Sequence, residues 1–110
     1  MADLTPAERE RLTKLNEELS ESIERMGALI QAMGKANQAV CKTLVHGFNA
    51  SFEGIDYDNR EDLMREIGDV EAIVDLMTTK GDLSRVKIDG YRTDKKSKLS
   101  RYLKHQDGAS

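Results

Sequence analysis

At 110 residues the chain has the length of one small domain, so its core must come from a few helices or from several copies of the chain. Two Phe and three Tyr stand against five Met, with no Trp, a composition suited to helix packing rather than to a β sandwich. The formal charge of −3 at pH 7 does not argue for nucleic acid. No apolar run is long enough to span a membrane and no basic segment precedes an apolar stretch at the N-terminus, so a cytoplasmic protein is expected. Residues 1 to 83 hold 9 Lys and Arg against 17 Asp and Glu, a net of −8, whereas residues 84 to 106 hold 8 against 2, a net of +6. The acidic body and the basic tail can complement each other or jointly bind a metal-complexed anion.

Thr5-Pro6-Ala7-Glu8 reads as a capping box with proline at the first helical position and predicts a helix from about residue 6. Leu12, Leu19, Met26, Met33 and Val40 then recur every seven residues, with no obvious stop before His46-Gly47. Such a helix would extend roughly 60 Å, with Gly27 and Gly34 as the candidate breaks. Within it the heptads beginning at Ile23, Ile30 and, more loosely, Asn37 resemble one another, as helix lengthening by duplication or a coiled-coil seam would produce. Cys41 is the single cysteine, which excludes an intrachain disulfide, fits a reducing compartment and is expected to pack in the interior.

Residues 47 to 58 lose the helical period and read as a loop. Asp58 with Glu61, or Asn59 with Asp62, can cap a second helix over about 59 to 79, ending at Lys80-Gly81. Ser84 can cap a third that carries Ile88, Tyr91, Leu99, Tyr102 and Leu103, although Gly90 weakens it. The expected fold is therefore all-α: a small helical bundle with one long N-terminal helix, completed by oligomerisation. Residues 1 to 106 would form a single domain and 107 to 110 a frayed tail.

In the second helix Leu63, Ile67, Val70, Val74 and Met77 recur at three and four, and Glu66 intrudes among them with Asp69 one turn on. A core-facing carboxylate must pair, neutralise or bind a metal, because burying an unpaired charge is costly. Glu17, Glu18 and Glu21 form a second acidic cluster at helical spacing, projecting roughly 100° to 160° from the apolar stripe. Two carboxylates three residues apart can converge on one ion, and Mg²⁺ takes a few such oxygens together with waters and phosphates. The plain alternative for each pair is a solvated face.

Glu17-Glu18-Leu19-Ser20-Glu21, His46-Gly47-Phe48, Asp58-Asn59-Arg60, Glu66-Ile67-Gly68-Asp69-Val70 and Lys98-Leu99-x-Arg101-Tyr102-Leu103-x-His105-Gln106, in that order, resemble the phage-type MazG-like nucleotide pyrophosphohydrolases across most of the chain. The resemblance implies an all-α homo-oligomer, a dimer or tetramer, that hydrolyses nucleoside triphosphates to the monophosphate and pyrophosphate with Mg²⁺ or Mn²⁺. It implies Glu18, Glu21, Glu66 and Asp69 as metal ligands and Glu17 as an auxiliary acid. Metal-activated water would attack the triphosphate. Lys95, Lys96, Lys98 and Arg101 are candidates for phosphate contact, against the plain reading of solvated basic residues. The alternative is a catalytically inactive MazG-like oligomer that binds a nucleotide or a protein partner.

The chain departs from that pattern in one place. The family's acidic helix reaches its His-Gly turn about two heptads sooner, so the glutamates here face the right way but sit roughly 21 Å too far along. Anchored from His46-Gly47, the positions opposite Glu66 and Asp69 become Gln31, Ala32 and Lys35. Catalysis would then need a helix break at Gly27 or Gly34, an acidic trio supplied by a neighbouring subunit, or a bundle anchored from the N-terminal end.

Overall fold

A computed structural model describes residues 3 to 106, and all the regular structure among them is helical. Helix α1 spans Pro6–His46, α2 Asn59–Thr79 and α3 Arg85–Tyr102. The all-α expectation with one long N-terminal helix is met. The frayed tail expected at 107 to 110 lies outside the described residues. No helix among these is long and apolar enough to cross a membrane.

Helix α1 begins where its capping box requires. Glu8 N–H donates to the Thr5 hydroxyl and Thr5 N–H to the Glu8 carboxylate, both at 3.1 Å. The helix runs 41 residues, about 62 Å, straight through Gly27 and Gly34. It ends at Gly47, whose φ of 88° lies in the region that glycine tolerates and whose N–H donates to the Thr43 carbonyl at 2.7 Å.

Contacts divide the chain into two compact units, Met1–Leu76 and Met77–Ser110. In the first, α1 and α2 form a hairpin whose loop is pinned by Asn59, only 3% exposed. Its N–H donates to the Ala50 carbonyl at 2.9 Å and its Nδ2 to the Gly47 carbonyl at 3.0 Å. The Asp58 carboxylate accepts from Glu61 N–H at 2.9 Å, so α2 is capped by the Asp58–Glu61 pair. The Arg60 guanidinium lies 5.0 Å from the Phe48 ring centre, and the His46 ring meets Phe52 edge-on at 5.5 Å.

The α1 face turned towards α2 is built from small side chains. Ala32, Ala39 and Thr43 are buried, and Arg25, Leu29 and Ala36, spaced three and four from them, are half-buried. The larger stripe of Leu12, Leu19, Met26, Met33 and Val40 stays between 47% and 59% exposed. Cys41 is exposed, correcting the expectation of interior packing. It follows Ala39 by two residues, about 200° around the helix, which turns it away from the buried line.

In the second unit the end of α2 is closed by Gly81, with φ of 86°, and the Met77 carbonyl accepts from Asp82 and Leu83 N–H at 2.9 and 3.3 Å. The Ser84 hydroxyl accepts from Lys87 N–H at 3.3 Å and starts α3, which continues through Gly90. Of the apolar residues expected to line α3, Ile88 and Leu99 are half-buried, whereas Tyr91 and Tyr102 are 73% and 65% exposed.

Candidate functional site

The antiparallel hairpin sets the second half of α1 against α2, so the residues that meet are fixed by distance from the loop. Lys42 and Asp62 pair at 2.9 Å, and the Asp62 side chain is only 15% exposed. Further from the loop, Lys35, Ala39, Cys41, Lys42, Asp62 and Glu66 line an open cleft of about 610 Å³. A smaller cleft beyond it is lined by Gln31, Ala32, Lys35, Asp69, Ala72 and Ile73. Lys35 stands on the wall of both. The chain is thus paired from the His46-Gly47 end, and Gln31, Ala32 and Lys35 occupy the positions opposite Glu66 and Asp69.

Glu66 is half-buried, and its Oε2 is enclosed with no hydrogen-bond partner. Asp69 is exposed, as its angular offset from the apolar face predicts. The acidic trio lies elsewhere. Glu17, Glu18 and Glu21 are exposed, and Glu21 reaches Arg25 at 4.0 Å. Since α1 is unbroken, fourteen residues separate Glu21 from Lys35, about 21 Å of helix rise. Among the described residues no three His, Cys, Asp or Glu side chains gather closely enough to hold a metal ion. One chain therefore brings two of the four expected ligands to the clefts, with the exposed Lys35 lining both. Within one chain the clefts thus hold fewer carboxylates than the four ligands the resemblance implies.

The candidate phosphate contacts all lie on α3. Lys98 Nζ is 2.9 Å from Asp94, and Lys95 Nζ lies 4.7 Å from the centre of the Tyr102 ring. Arg101 is exposed.

The Lys42–Asp62 pair was not anticipated. Its signal is present in the chain: the second half of α1 carries Lys35 and Lys42 seven apart, and α2 carries Asp62, Glu66 and Asp69 at spacings of four and three. Those lines of opposite sign face each other in an antiparallel hairpin.

The fold and clefts define an all-α protein built on a long-armed helical hairpin with lysine and carboxylate side chains facing across its groove. Compared with protein families, curated proteins and solved structures, the chain matches none of them.

Proposed function

We propose that this chain is a MazG-like helical oligomer that binds a nucleotide or a protein partner without hydrolysing it. The observation that carries this reading is the place of Lys35, on the wall of the cleft beside Glu66 and again beside Asp69. A cation drawn to those carboxylates would meet the like charge of Lys35 in the same clefts, and that charge offsets part of theirs without a metal. The larger cleft falls in the size range of small-molecule sites.

The test is pyrophosphate release from a panel of nucleoside triphosphates with Mg²⁺ or Mn²⁺. The expected result is no release above background. Turnover that disappears in the folded Glu66→Ala/Asp69→Ala variant would overturn the proposal.

A second reading rests on the enclosed Glu66 Oε2, an acceptor oxygen with no donor. It makes the protein a Mg²⁺-dependent nucleoside triphosphate pyrophosphohydrolase in which another copy supplies Glu18 and Glu21, with Glu17 as auxiliary acid. Lys95, Lys98 and Arg101 would contact the phosphates. The turnover assay separates the two readings.

A further inference from the structure

Helix α1 carries two lines of side chains, and only one of them is used within the chain. The small line faces α2. The other consists of Leu12, Asn16, Leu19, Ile23, Met26, Ile30, Met33, Asn37, Val40 and Leu44, alternating by four and three over the whole helix. Its large members are exposed, Ile30 by 74% and Leu44 by 84%. Taken together they offer roughly 800 Å² of apolar side chain per copy, about what each partner buries in a stable interface. A solvated face does not need this strict period, and a globular partner would not require it over about 50 Å of helix.

We infer that this line is a coiled-coil seam that pairs α1 with α1 of a second copy of the chain, parallel and in register. In heptad terms Ile23 and Ile30 stand at position a and Leu12 and Leu19 at position d, the combination that favours two parallel strands. The two polar members decide the direction. Asn16 and Asn37 also stand at position a, where a parallel pair sets each against its own copy and lets the amides hydrogen-bond to one another. The full-length antiparallel register instead sets Asn16 against Val40 and Asn37 against Leu19, leaving both amides buried against apolar side chains.

The flank agrees with this direction. Thr13, Ser20, Gly27, Gly34 and Cys41 follow the d residues at position e, all small, and nothing lies within 4 Å of a Cβ built on Gly27 or Gly34. In a parallel pair this column faces the partner's position g, the flank on which the small line of α1 receives α2. The internal heptad similarity, Met26-Gly27 then Met33-Gly34 then Val40-Cys41, repeats this large-small pair.

Glu17, Glu18 and Glu21 fall at positions b, c and f, on the side of α1 away from the seam. Pairing through the seam therefore leaves the acidic trio on the outer surface and does not carry it to the partner's Glu66 and Asp69. The proposal stands whether or not the cleft turns over substrate.

The test uses the full-length chain with Cys41→Ser and one new cysteine, Leu19→Cys or Val40→Cys. The mass in solution is measured first, and disulfide-linked dimers are then counted after mild oxidation. The expected result is at least a doubled mass and efficient crosslinking by each single variant alone. A monomeric mass would overturn the seam. Crosslinking only when Leu19→Cys is mixed with an Asn37→Cys variant would overturn the parallel direction. Ile30→Asp, at a side chain exposed in the single chain, is expected to halve the mass while helicity by circular dichroism is retained; an unchanged mass would also contradict the seam.

Discussion

Asn59 holds both ends of the hairpin loop through two carbonyls, those of Ala50 and Gly47. Replacing it with Ala strands the Gly47 carbonyl in a partly buried place. We expect a cost of about 2 kcal/mol, read as a lower unfolding midpoint in urea. Glu8 acts at the other end of α1. The backbone bond from Thr5, and after it the Thr5 side chain, hold its carboxyl below the usual value of 4.5. Because the folded value is the depressed one, the stabilisation is present above pH 4.5 and fades as pH falls through the folded value. Helicity of α1 followed through acid is expected to show this loss, and Glu8→Gln is expected to flatten it.

The start of α1, its stop at Gly47, the Asp58 cap and the Ser84 cap were legible because each depends on a few neighbouring residues. Which face of α1 would meet α2 was not. Hydrophobic periodicity weights large side chains and so marks the line through Leu19, Met26 and Met33. Close helix approach selects small ones, and Ala32, Ala36 and Ala39 took the contact. The two lines lie about 110° apart on one helix. This difference has a measurable consequence. Ala39 is 1% exposed, and Ala39→Leu is expected to destabilise the hairpin by roughly 1–3 kcal/mol through overpacking. Met33→Leu, a volume-conserving change on the line of α1 that does not meet α2, is expected to leave thermal unfolding of the hairpin nearly unchanged. The opposite order would contradict the assignment of the two faces.

For the molecule as a whole, half of the candidate site was legible. Glu66 stood out as a carboxylate among apolar positions, and its enclosed oxygen bears out that anomaly. What faces it depends on the length of α1 and the end from which the hairpin is paired, and no local motif encodes either. The unbroken helix fixes the answer within one chain by holding Glu18 and Glu21 about two heptads beyond the clefts. If α1 pairs through the proposed seam, which leaves the trio off the dimer contact, a composite site would require contact between dimers. Reversing the charge of Lys35 follows from the same geometry. Lys35→Glu with Gln31→Glu would set four carboxylates across the groove, and the unfolding temperature of this variant is expected to fall without Mg²⁺ and to recover with it.

In the proposed reading the groove of the native protein holds Lys35 with Glu66 and Asp69 in place of a metal. Thermal unfolding of the unmodified chain, followed with and without millimolar Mg²⁺, tests it directly, because a cation held by the folded state raises the midpoint by mass action. The same midpoint is expected in both. A Mg²⁺-dependent rise that vanishes in Glu66→Gln would contradict it.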